Sequence, residues 1–204
     1  MTVVLALLSA LCYGTSDFVG GFMATRIPAW TSAFCAQVGG AVAMAVLTLV
    51  TGGHPDAAAM AWGAGSGVST GVGLLALYRG LAVGRMGVVA PVSGIVGALV
   101  PALIGILSGE RPSALACAGL LLALPAVFLV ASAPPTDEES THGSGIVFGV
   151  VAGLGFGGGF AAIAQVPPEA GHSPVAVSMV VGALLTTLAA VLAGEEWRPR
   201  RPGE

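Results

Sequence analysis

Seven apolar runs, each long enough to cross a lipid bilayer, fill almost the whole chain, and no other feature narrows its fold so far. They read as Val3–Met23, Trp30–Val50, Ala59–Leu81, Met86–Ser108, Pro112–Ser132, Gly145–Val166 and Pro174–Gly194. About 20 residues rising about 1.5 Å each span a hydrocarbon core about 30 Å thick. Charged residues make up only 8% of the 204, and lysine is absent, so a water-facing surface cannot be covered. The runs lack period-two alternation, which argues against a membrane β-barrel. With no water in the bilayer core, helices satisfy the backbone internally. The expected fold class is therefore an all-α polytopic membrane protein.

Other classes recede on the same grounds. The first run has no basic flank and exceeds a signal-peptide core, so it is not expected to be cleaved. Cys12, Cys35 and Cys117 all fall within spans and lack metal-ligand spacing, so they are expected to be free, buried packing residues. The seven arginines are dispersed except for Arg198, Arg200 and Arg201, which gives no footprint for nucleic acid. His54, His142 and His172 lie in separate connections with no metal-like spacing. No paired carboxylates or Ser–His arrangement converge within the spans, so neither an enzyme nor a cofactor is expected.

One polar break interrupts the apolar pattern. Residues 133–144 carry Asp137-Glu138-Glu139 among turn formers and read as a solvated linker. They divide five spans, residues 1–132, from two, residues 145–194, with a polar tail at 195–204. Laid on the first part with an offset of 143, the last two spans align with the first two: Tyr13-Gly14 falls on Phe156-Gly157, and Gly39 on Gly182. Copies separated by an odd number of crossings insert in opposite directions, the inverted repeat of many secondary transporters.

Small residues and prolines suggest how the spans pack. Gly63, Gly67 and Gly71 form an i+4 ladder on the third span, and Gly145, Gly149, Gly153 and Gly157 form another on the sixth. Such ladders let helix backbones approach closely. Pro91 and Pro101 in the fourth span and Pro125 in the fifth each remove a backbone donor and are expected to kink their helices.

The stretch Ala76–Ser113 carries Ala76-Leu77-Tyr78 at a helix end, Leu81-Ala82 at the connection, Pro101 mid-helix and a closing Gly109-Glu110-Arg111-Pro112-Ser113. It resembles the third-to-fourth helix region of the EamA family in the drug/metabolite transporter superfamily. Residues Tyr13–Gly21 are similar to the opening helix of one branch. The resemblance implies two inverted five-helix repeats, a central path between them, and alternating access for a small organic metabolite or drug. It also implies a cytoplasmic amino terminus, whereas Arg26, Arg79, Arg85 and the tail arginines favour the reverse by the positive-inside rule. Counterparts of spans three to five do not follow the seventh, so the second repeat reads as truncated. The alternative expectation is a non-transporting subunit or scaffold that needs a second copy, or another membrane chain, to complete the bundle.

Asp17 is the sole acidic residue well inside a span. An ionised carboxylate is costly there, so it must pair, face water or take up a proton, which suits proton coupling. Arg79 ends the third span on the same side of the membrane and is a candidate partner for Asp17. Its other candidate role is snorkelling to headgroups. Gln37, Tyr78, Thr70 and Ser93 are the uncharged candidates for lining a solute path, although any one of them also serves as an interhelical hydrogen-bonding group. The expected partners are the lipid bilayer of the plasma membrane and a small solute.

Overall fold

The computed structural model describes residues 2–24, 26–84, 86–131 and 144–194. Among the described residues there are seven α-helices: α1 Thr2–Ala24, α2 Ala29–Thr51, α3 Ala57–Val83, α4 Met86–Leu107, α5 Ala114–Ala131, α6 Ser144–Ile163 and α7 Ser173–Leu192. Six of them are long and apolar enough to cross a membrane, and α5 is a further apolar helix of 18 residues. Large apolar side chains face outward throughout, among them Leu11 at 67% exposure and Leu107 at 86%. That exposure suits lipid and not water. The protein is an all-α polytopic membrane protein.

Turn chemistry sets the helix ends. Pro28 precedes α2, where its fixed φ and missing N–H are tolerated. Asp56 caps α3, its carboxylate accepting a hydrogen bond from the Ala59 N–H at 2.7 Å. Gly109 closes α4 at a φ of 93°, a left-handed conformation open to glycine, while the Glu110 N–H donates to the Gly105 carbonyl. Pro91 and Pro101 lie inside α4, and Pro125 inside α5. Of the proposed linker, residues 133–143 lie outside the described residues, and Ser144 begins α6. Arg85 and residues 195–204 lie outside them too.

The core is organised around α3. It packs on both α6 and α7; α6 also packs on α4, and α7 on α2. Glycine makes these approaches possible. Methyl groups built on Gly63, Gly67 and Gly71 would strike α7 at Pro174, Ser178 with Val181, and Gly182 with Leu185. Rising numbers on both helices mean that α3 and α7 run parallel. Gly73 lies against Ala152–Phe156, Gly80 against Phe148 and Gly84 against Gly145, so α6 runs antiparallel to α3. The other ladder faces α4: Gly149 meets Val89 and Val92, Gly153 meets Ser93 and Val96, and Gly157 meets Gly97 and Val100. Gln37 meets Gly182 and Gly40 meets Met179, so α2 and α7 are antiparallel.

Since Gly20 meets Tyr78 near the carboxyl ends of α1 and α3, these two run the same way. It follows that α6 points opposite to α1, and α7 opposite to α2.

One expectation is corrected. Cys12, Cys35 and Cys117 are free but exposed on their helix surfaces, not buried. Cys12 and Cys35 lie on stretches of α1 and α2 that no helix covers among the described residues, so apolar character did not translate into burial.

Candidate functional site

One group of polar residues gathers where the carboxyl ends of α1 and α3 meet the amino end of α2. Gly20 is the contact that brings α1 in. A methyl group there would lie 2.5 Å from Tyr78 Cε1 and 2.6 Å from its hydroxyl oxygen, so the ring rests on bare backbone. Asp17 precedes Gly20 by three residues and therefore shares its face. It is half-buried, one turn before the residue on which the Tyr78 ring rests. Tyr78 itself is 4% exposed and belongs to a cluster with Ala29, Ala33, Leu77, Leu81 and Val89.

The next residue on α3, Arg79, turns outward. Its guanidinium lies over the Trp30 ring, 5.5 Å from the centroid, within cation–π range. Beside that ring, three consecutive α2 residues hold buried polar atoms with no hydrogen-bond partner: Trp30 Nε1, Thr31 Oγ1 and Ser32 Oγ. Unpaired buried donors are costly, and sites that bind solutes are where such a cost is tolerated. Sequence reasoning missed this trio. The signal was present, since three polar-capable side chains in succession open an otherwise apolar span.

Three of the expected path residues lie elsewhere, in helix–helix seams. The Gln37 amide packs on Gly182 of α7 and is 3% exposed. Thr70 donates its hydroxyl hydrogen bond to the Ser66 carbonyl of its own helix at 2.8 Å, and its methyl faces Gly159. Ser93 likewise donates to the Ala90 carbonyl at 2.8 Å, and its own carbonyl faces Gly153. The structure thus brings Asp17, Tyr78 and Arg79 to one end of the bundle and sets Gln37, Thr70 and Ser93 along the seams. Two further seam contacts join α3 to the last two helices: Ser69 donates to the Gly155 carbonyl at 2.8 Å, and Ser178 donates to the Ser66 hydroxyl at 3.3 Å. No group of three His, Cys, Asp or Glu residues that could hold a metal occurs among the described residues.

A family model decides what this bundle belongs to. The model of the EamA-like transporter family matches residues 1–132, well over half of the chain. The chain belongs to the EamA-like transporter family. No curated protein and no solved structure matches it. As an EamA-like membrane transporter, the protein places inside the matched segment all of the Asp17, Tyr78, Arg79 and Trp30–Ser32 constellation. The helices α6 and α7 that cradle α3 lie beyond that segment.

Proposed function

We propose that the protein moves a small organic solute across the membrane by alternating access, with Asp17 as the residue that carries a proton. The observation that carries this reading is the half-buried Asp17 one turn from the seat of the buried Tyr78 ring, with three unpartnered polar atoms on the adjoining start of α2. A carboxyl group inside a span is costly to keep, so it pairs, meets water or takes up a proton. Trp30, Thr31 and Ser32 would offer hydrogen bonds to the solute, and Tyr78 would hold Asp17 in place. The alignment of α6 and α7 with α1 and α2 at an offset of 143 supports an inverted repeat, in which one half rocks against the other. The chain's membrane would be the plasma membrane, and its solute a small metabolite or drug.

The test is solute flux in proteoliposomes under an imposed pH gradient. Gradient-driven uptake or export by the wild-type chain that is lost in Asp17→Asn supports the reading. Equal flux by both, in the presence of a gradient, refutes the role of Asp17. Exchanging the charges of Asp17 and Arg79 tests whether those two residues also pair; rescue of the single Ala defects supports the pair.

The uncovered stretches of α1 and α2 favour a second reading, in which the chain needs further membrane helices before it moves solute. Flux that appears only on co-reconstitution with another membrane chain would support that reading.

A further inference from the structure

Two connections interlock at the end of the bundle away from Asp17. Residues 52–56 join the carboxyl end of α2 to the amino end of α3, and residues 164–172, with a 3-10 turn at Pro168–Ala170, join α6 to α7. Their backbones lie against each other at glycines. A methyl group on Gly53 would sit 2.7 Å from the Ala170 carbonyl oxygen, and one on Gly171 would sit 2.5 Å from that of Gly52. Both glycines have positive φ, 145° and 66°, so conformation and neighbour alike call for glycine there. The His54 N–H donates to the Glu169 carbonyl at 2.8 Å, and Ala170 is buried although it lies in a connection. A side-chain bond completes the contact. Thr51 commits its one hydroxyl hydrogen to the Leu47 carbonyl at 2.8 Å, so its oxygen can only accept from His172 Nδ1, 3.0 Å away. His172 therefore carries a hydrogen on Nδ1. Thr51, His54 and Glu169 are exposed, and hydrogen bonds at such positions exchange for bonds to water at a small net cost. This contact is easily made and easily broken.

Resting on the transport reading, in which one half rocks against the other, we propose that this contact is a latch: it holds the end of the bundle away from Asp17 shut and parts when that end opens to pass solute. The two connections belong to the two aligned parts of the chain, so movement between those parts pulls residues 52–54 away from residues 169–172. Ala170, buried while the latch is closed, meets water when it parts.

Two measurements test the latch, both on the full chain with Cys12→Ser, Cys35→Ser and Cys117→Ser. The first needs no solute. In proteoliposomes, Ala170→Cys is expected to react with a water-soluble maleimide, more slowly than the same chain unfolded in dodecyl sulfate. Thr51→Val, which removes the acceptor for His172, should speed that reaction about two- to tenfold, the ratio that one hydrogen bond supports. Thr51→Ser keeps the hydroxyl and should leave the rate as it is. An unreactive Ala170→Cys, one that reacts as fast as the unfolded chain, or equal rates for the two Thr51 variants would overturn the latch. The second measurement is a reversible lock. His54→Cys with Glu169→Cys keeps the backbone bond and puts two thiols on adjoining residues. Mild oxidation is expected to close a disulfide and to abolish gradient-driven uptake of a labelled pool of amino acids, nucleosides and organic cations, and reduction to restore it. Failure of the disulfide to form, or undiminished uptake while it is closed, would overturn the latch and leave the transport reading standing. No uptake by the reduced chain would count against the transport reading instead, and the maleimide rates then decide the latch.

Discussion

Adding one methyl group at Gly67 tests whether the α3–α7 seam sets the stability of the bundle. The Gly67→Ala methyl would lie 2.8 Å from Val181 Cβ and 2.9 Å from Ser178 Cα, and nearer still to the Ser178 carbonyl oxygen. None of these atoms can rotate aside, because two are backbone and the third is a Cβ. Ordinary contact begins at 3.4 Å, so the shortfall against Val181 is about 0.6 Å and the helices must part. Overpacking of that kind costs about 1–3 kcal/mol. Gly65, two residues earlier on the same helix, provides the control, since a methyl group there meets nothing within 4 Å. In a helix interior, replacing glycine by alanine stabilises by about 0.5–1 kcal/mol when space allows. Chemical unfolding in mixed micelles, followed by circular dichroism, should therefore give opposite signs for Gly67→Ala and Gly65→Ala. Two changes of the same sign, or two equal shifts, would refute the reasoning from close approach.

Further outcomes follow from other contacts. Gly20→Leu should detach the end of α1 from α3 by displacing the Tyr78 ring, and Tyr78→Ala in the same chain should partly restore a disulfide engineered between the two helices. Asp56→Ala removes the cap of α3 and should cost about 0.5–2 kcal/mol in the same unfolding assay, whereas Asp56→Asn should cost less than that. Tyr78→Phe keeps the buried ring but takes away the hydroxyl seated on Gly20, one turn from Asp17, so gradient-driven flux should fall while the melting transition holds. If melting falls as much as flux does, the hydroxyl is structural.

The helices were legible because bilayer thickness demands apolar runs of a length that polar connections interrupt, and each of the seven runs became a helix. The glycine ladders were legible as packing surfaces in the same sense, since repeats of four put small residues on one side. Their partners were not. Nothing local to Gly63, Gly67 and Gly71 says that they meet α7, more than 100 residues away, and nothing near Gly153 names α4. Thr70 and Ser93 drew attention as polar residues in apolar surroundings, yet a hydroxyl can return its hydrogen bond to its own helix, as both do. Trp30, Thr31 and Ser32 went unnoticed because unpaired donors are a property of surroundings and not of residue type. Cys12 and Cys35 failed as burial markers for a related reason: in a bilayer an apolar residue gains little by turning inward.

The packing of α6 and α7 on α3 has a consequence for how the protein is made. Two helices that follow one another in the chain press against neighbouring faces of one that was completed earlier. At synthesis rates of about 5–20 residues per second, roughly 100 residues separate the end of α3 from the end of α7, so α3 waits about 5–20 s with its glycine flanks open. During that interval any passing helix with a smooth surface can occupy the vacant seam. Translation pauses between residues 84 and 144 should therefore lower the yield of correctly assembled protein more than pauses placed before α3.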